Sequence, residues 1–168
     1  MGHWEVTGVD RVNAQFDELA ARVNAATDAA VDDVLEFIDD ATTAALSLLE
    51  HPPFTPTPSA PGEPPARIGG ALAASMEPTR DPGGDGVYSG RIGPTAVYAR
   101  IQELGGTIVP RGHPYLSWLT LGDDGLMRRV FAHEVTLPPR PYLKPTVENS
   151  KDAVRDIFKT AWDDALDL

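Results

Sequence analysis

The chain of 168 residues contains no cysteine, which excludes a disulfide framework, thiolate metal ligands and thiol chemistry. Aromatic residues make up only 7% of it. No run approaches the roughly 18 apolar residues that a membrane-spanning helix needs. The first residues have neither a basic region nor an apolar stretch, so no signal peptide is predicted. We therefore expect a protein with no membrane partner, located in the cytoplasm or in a particle assembled there.

Basic residues are also scarce, because 14 Lys and Arg stand against 25 Asp and Glu, giving a net charge of −11. Residues 1–50 contain eleven acids and two arginines, a balance of −9, whereas residues 51–168 contain fourteen acids and twelve bases, a balance of −2. Such a chain binds nucleic acid poorly, since attraction to phosphates needs clustered Lys or Arg. The N-terminal acids either solvate an exposed helix face or repel DNA from a channel wall.

The sequence contains no recognisable catalytic or cofactor-binding motif. His133-Glu134 lacks the second histidine of a zinc-binding helix and lies on a predicted strand. His113 lies in a Gly-His-Pro loop with no carboxylate close to it in sequence. The glycine-rich stretch 83–86 is not followed by the Lys-Ser/Thr pair of a phosphate-binding loop. We therefore expect no enzyme activity, no cofactor and no metal site. A hydrolase that uses His113, His133 and Glu134 is the alternative in the enzyme class.

A long amphipathic helix is predicted over residues 9–50. Its apolar residues recur at spacings of three and four, and no Gly or Pro interrupts them before His51-Pro52-Pro53. About 40 residues at ~1.5 Å rise give roughly 60 Å, whereas a compact domain of this size is about 40 Å across. The helix therefore either breaks near residues 24–28 or projects, in which case a partner must cover its apolar stripe.

A proline-rich segment follows at residues 51–66, with seven prolines between positions 52 and 65. Proline is excluded from helix interiors and central strands, so an extended, polyproline-like backbone is expected. The segment is either a spacer or an arm that lies across a neighbouring subunit. As an arm, it would be anchored by Phe54, its one large apolar side chain.

The remaining patterns predict an α+β fold in a single domain over residues 1–168. An α+β core at 67–140 precedes a C-terminal amphipathic helix at 141–168. Within the core we expect short helices at 66–76 and 95–104, a polar loop at 79–86, and strands at 87–92 and 107–109.

A hairpin is predicted where strands 115–121 and 126–137 flank Gly122-Asp-Asp-Gly125. Both strands carry apolar residues on both faces. A sheet that is hydrophobic on both faces must be covered on both. The small, mostly antiparallel sheet is therefore expected to need helices on one side, and a helix or another subunit on the other.

Three short blocks stand in a fixed order along this part of the chain. They read Pro-Gly-Glu-Pro-Pro-Ala-Arg-Ile-Gly-Gly-Ala-Leu at 61–72, Tyr-Ala-Arg-Ile-Gln-Glu-Leu-Gly-Gly at 98–106 and Pro-Pro-Arg-Pro-Tyr-Leu-Lys-Pro at 138–145. Together they resemble the small neck, or tail-completion, proteins at the head–tail junction of long-tailed bacteriophages. The first block departs from that pattern, since Ile68 stands where Thr is common and an extra Gly follows.

The resemblance implies a structural subunit of a ring that joins the phage tail to the head connector, with a sheet packed by the long and final helices. It implies self-association, as a hexamer, and contact with neighbouring head-connector and tail proteins, with DNA passing through the lumen without specific binding. The implied location is the virion, after assembly in the host cytoplasm. The alternatives are a tail terminator that caps the tail tube, or a soluble protein- or peptide-binding module that uses a strand edge and the proline arm.

Nine residues are candidates for an interface: Phe54, Pro64, Pro65, Arg67, Tyr98, Glu103, Arg140, Tyr142 and Leu143. Arg140 lies between prolines, so a rigid backbone is expected to aim its guanidinium at one carboxylate or carbonyl. Glu103 is a charge beside a turn. Tyr142 and Leu143 either anchor the last helix at an interface or belong to the core.

Overall fold

The computed structural model describes residues 7–55, 57–84 and 86–167. Contacts divide the chain into two compact units. The first, which we call the helical unit, comprises Met1–Glu36, Thr79–Arg91 and Lys151–Leu168. The second, which we call the sheet unit, comprises Phe37–Pro78 and Ile92–Ser150. The single domain expected over residues 1–168 stays a prediction.

The first helix, α1, spans Val9–Ala45 and so ends before the predicted residue 50. It has no break near residues 24–28, which was one of the two alternatives. Its 37 residues give a length of about 55 Å. Residues 9–22 are exposed throughout, and the first buried side chain of the helix is Ala30. The apolar stripe is therefore continuous in sequence but buried only in its later part.

Within the helical unit, α1 contacts the last helix, α4, which spans Lys151–Leu166. The indole Nε1 of Trp162 donates a hydrogen bond to Thr27 Oγ1 at 2.9 Å. Arg80 forms ion pairs with Asp28 and Asp32 on one side of α1. The buried apolar side chains of this unit are Ala30, Val31 and Leu35.

The strands form three two-stranded sheets in the described part of the chain, rather than one sheet. The pairs are β1 (Met76–Arg80) with β2 (Gly90–Pro94), β3 (Gly106–Ile108) with β6 (Val135–Leu137), and β4 (Leu116–Leu121) with β5 (Met127–Ala132). The second and third pairs are antiparallel. The α+β class is thus confirmed: a long N-terminal helix, small antiparallel sheets with a hairpin, short helices and a C-terminal helix.

The short helix expected at 66–76 is reduced to one 3-10 turn at Ala73–Ser75. Gly69 and Gly70 have φ values of 71° and 76°, which a right-handed helix cannot contain. The strand β1 then occupies positions that were expected to end a helix and begin a loop. Pro78 is tolerated there because a strand of a two-stranded sheet has an edge that needs no N–H donor.

Further elements differ from the expected ones in their bounds. The second hairpin strand, expected at 126–137, is divided into β5 and β6, and β6 pairs with β3. The C-terminal helix is divided at Ser150 into α3 (Leu143–Asn149) and α4. The Ser150 N–H is shared between the carbonyls of Thr146 and Val147, at 3.0 and 3.3 Å. The helix expected at 95–104 is shorter, as α2 (Ala99–Leu104), and ends at Gly105.

The sheet unit has a small core. Its buried apolar residues are Ile38, Leu46, Ala99 and Tyr142, and its buried polar residues are Thr42, Ser59, Arg140 and Ser150. In the residues that the structure describes, no helix combines the length and apolar character required to cross a membrane.

Candidate functional site: the block junction and the exposed hairpin

The three sequence blocks meet inside the sheet unit. The Gly62 N–H donates to the carbonyl of Pro139 at 3.0 Å, which joins the first block to the third. The Arg140 N–H donates to the carbonyl of Gln102 at 2.7 Å, which joins the third to the second. We call residues 61–72, 98–106 and 138–145 the block junction. Segments that are far apart in sequence therefore form one hydrogen-bonded structure.

The side chain of Glu103 caps the N-terminus of α3. Its Oε2 accepts the N–H groups of Tyr142 and Leu143, at 2.8 and 3.1 Å, and its Oε1 accepts that of Lys144 at 3.0 Å. The first N–H groups of a helix have no partner within the helix, and a negative charge there is favourable. The glutamate of the second block therefore fixes where the helix of the third block begins.

Gly105 is required where the second block passes the third. Its φ is 67°, and a Cβ built at this position would lie 2.7 Å from the Pro139 nitrogen and 2.8 Å from the Leu137 carbonyl oxygen. No larger residue fits without moving backbone. From there, Gly106 opens β3 opposite Leu137, and the Thr107 and Thr136 hydroxyls lie 3.0 Å apart across the pair.

Tyr142 is the most deeply buried aromatic residue of the described part of the chain, with 1% of its surface exposed. Burial, followed by the negative charge of Glu103 and then by Tyr98, raises the pKa of Tyr142 to about 12. The phenol is therefore held in its neutral form beside the glutamate that caps α3.

Arg140 is also buried, with 6% of its surface exposed. Its Nε donates to the carbonyl of Ser59 at 3.0 Å, so its fork is directed at a carbonyl of the proline-rich segment in the same chain. That segment is held again where Arg67 N donates to Leu49 O at 2.7 Å and His51 N donates to Arg67 O at 3.0 Å. The described part of the segment is thus tied to its own sheet unit.

Phe54 lies away from the other candidates, at the end of the hairpin. Its carbonyl accepts the Leu121 N–H at 3.2 Å, its φ is 64°, and 55% of its surface is exposed. A positive φ is uncommon for a bulky residue and costs about 1–3 kcal/mol. The backbone at this position is therefore fixed by its surroundings while the ring remains exposed.

The other candidates border open cavities of the block junction. Pro65, Arg67 and Tyr98 line one of about 220 Å³, and Leu143 lines an apolar one of about 310 Å³ with Tyr142. Pro64 is half-buried. The block junction thus brings together every candidate except Phe54, and their role at an interface stays a prediction.

The hairpin β4–β5 differs from the block junction because its strands contain no buried residue, whereas the block junction contains Ala99, Arg140 and Tyr142. All six residues of each strand are described, and none is buried. Directly paired residues share a face, so the register places Ser117, Leu119 and Leu121 on one face with Phe131, Arg129 and Met127. We call this the Phe131 face. The opposite face, the Trp118 face, carries Leu116, Trp118, Val130 and Ala132.

Large apolar side chains on both hairpin faces are exposed. On the Phe131 face they are Leu119, Met127 and Phe131, the last with 61% of its surface exposed. On the Trp118 face the tryptophan is exposed as well. The apolar pattern predicted that both faces need cover, but the helices expected to cover one of them leave it exposed. None of these residues was among the interface candidates. In the helical unit, Val9, Val12, Phe16 and Leu19 of α1 form a second exposed apolar stripe.

A scan against protein-family models, a search of curated proteins and a search of solved structures each returned no match. Support for a function therefore comes from the chain's own residues and from the resemblance carried by the three blocks.

Proposed function

We propose that the chain is a structural subunit of a ring at the head–tail junction of a long-tailed bacteriophage. It would act there as a neck or tail-completion protein that joins the tail to the head connector. The observation that carries this proposal is the hairpin, which exposes large apolar side chains on both faces and buries none. Contiguous exposed apolar patches of this kind mark protein–protein interfaces.

The hairpin suits a ring because its two faces differ. In a ring, one surface of each subunit binds a different surface of the next, and the rotation closes on itself. Covering apolar surface contributes about 25 cal/mol per Å² removed from water. Neighbouring copies that cover the Phe131 face and the Trp118 face would therefore stabilise the assembly.

The block junction supports the same proposal from inside the subunit. It connects the proline-rich segment and the start of α3 through hydrogen bonds within one unit. A binding surface is most effective on a frame that is already ordered, because less entropy is lost on association. The net charge of −11 agrees with a ring through which DNA passes without binding.

The test is the phenotype of a phage whose copy of this chain carries Phe131→Asp. Electron microscopy of the lysate should show filled heads and complete tails that are not joined, while Val97→Asp, at a fully exposed position outside the hairpin, should give normal virions. A map of the wild-type junction should contain a ring of this chain.

Three results would contradict the proposal. Tails of uncontrolled length would indicate a tail terminator. Normal virions with Phe131→Asp would indicate that the exposed face has no role in the particle. Absence of the chain from both virions and tails would leave the binding module as the better interpretation.

A further inference from the structure

One cavity of the sheet unit lies beside the block junction and is lined partly by residues of that junction and partly by the proline-rich segment. It measures about 220 Å³ and lies between the proline-rich segment and the third block. Its polar lining comes from Arg140, Ser59, His51, Thr55 and Gln102. Among the residues that the structure describes, no Asp or Glu lines it, although the chain contains 25 of them.

Arg140 places a buried positive charge at this cavity. None of the ion pairs among the described residues includes it, whereas the more exposed Arg80 has two carboxylate partners. Its Nε donates to the Ser59 carbonyl, and its two terminal nitrogens lie in the same plane as part of the guanidinium group. A buried cation without an anion is costly, because its lost hydration is not replaced by a charged partner.

Two further polar atoms at the cavity have no hydrogen-bond partner among the described residues. They are the hydroxyl oxygen of Ser59, a residue with 6% of its surface exposed, and Nδ1 of His51. Buried polar atoms in folded proteins nearly always have a partner. Arg140 and two residues with an unpartnered polar atom thus line the same space.

We propose that this cavity binds a carboxylate group. The planar guanidinium matches a carboxylate through paired hydrogen bonds, and hydroxyl and imidazole N–H groups such as those of Ser59 and His51 can donate to the same oxygens. The single formal charge of Arg140 matches the single charge of a carboxylate better than the greater charge of a phosphate. The carboxylate is either an Asp or Glu side chain of a neighbouring protein chain or a small acid in solution. The site lies beyond the proposed ring function and does not depend on it.

The test is a titration of the isotopically labelled full chain with sodium acetate, followed by NMR. We expect a saturable shift of the Arg140 Nε–H and Ser59 N–H signals that sodium chloride at the same ionic strength does not reproduce. Ser59→Ala should weaken acetate binding about three- to tenfold, the effect of one hydrogen bond. Ser75→Ala is the matched control, because its hydroxyl donates to Leu72 O at 2.7 Å and it does not line the cavity.

Equal, non-saturating shifts with acetate and chloride would overturn the proposal and indicate a cavity filled by water. So would an unchanged acetate affinity in Ser59→Ala. Inorganic phosphate that binds more tightly than acetate would overturn the assignment to a carboxylate.

Sedimentation distinguishes the source of the carboxylate. Saturating acetate should dissociate assembled copies if a neighbouring chain supplies the carboxylate, and should leave them intact if a small acid does. Acetate binding is measured on the single chain, so its result does not depend on whether the ring forms.

Discussion

The block junction and the hairpin belong to the same unit and are both rich in apolar residues, yet they differ in how they are completed. In the block junction, Gly105, Glu103 and Arg140 bring backbone and side-chain groups of distant segments into contact within the chain. In the hairpin, the strand ladder is complete, but Trp118, Leu119, Met127 and Phe131 stay exposed. The block junction is therefore completed by contacts within its own chain, whereas the apolar faces of the hairpin are left for a partner.

The largest effect on stability is expected from Gly105→Ala. The new Cβ would meet backbone atoms at 2.7 and 2.8 Å, and the residue would keep a left-handed φ of 67°. Strain and overpacking together should lower the free energy of unfolding by about 2–5 kcal/mol, measured by chemical denaturation.

The control is Gly125→Ala in the hairpin turn, where φ is 75° but nothing lies within 4 Å of the new Cβ. It should cost about 1–2 kcal/mol. Equal losses would show that the block junction is no more tightly fitted than a turn.

A second effect concerns the pH dependence of stability. Because the pKa of Tyr142 is raised from 10.0 to about 12, the folded state holds this proton more tightly than the unfolded state does. Its contribution is fully present below pH 10 and is lost as pH rises through 12, by about 2–3 kcal/mol. Tyr142→Phe should remove this part of the alkaline loss in denaturation curves recorded between pH 9 and 12.

Tyr115→Phe provides the comparison at the hairpin, because Tyr115 is exposed beside the start of β4. It should leave the wild-type pH profile unchanged. If the two variants have the same profile, Tyr142 is not the group that couples stability to alkaline pH.

Local pattern was sufficient for some elements and not for others. The periodicity of α1 and the turn at Gly122–Gly125 predicted a long helix and a hairpin, because spacing and turn chemistry are local. The reduction of the helix at 66–76 follows from Gly69 and Gly70, whose left-handed φ values glycine permits but does not require. The proline-flanked Arg140 predicted a directed guanidinium, but Ser59 as its partner depends on a contact across 81 residues. Hydrogen bonds of that range have no local signature.

The smallest effect on stability is expected from the double change Leu119→Ser and Phe131→Ser on the Phe131 face. Both side chains are exposed, so their replacement should change the free energy of unfolding by less than about 1 kcal/mol. Self-association, measured by sedimentation over a range of protein concentrations, should nevertheless be weakened, because the apolar surface offered to a neighbour is removed. Val97→Ser, at a position with 99% of its surface exposed outside the hairpin, is the control and should leave both quantities unchanged. A stability loss as large as that of Gly105→Ala would mean that the face is packed within a single chain. The contrast with the block junction would then be wrong.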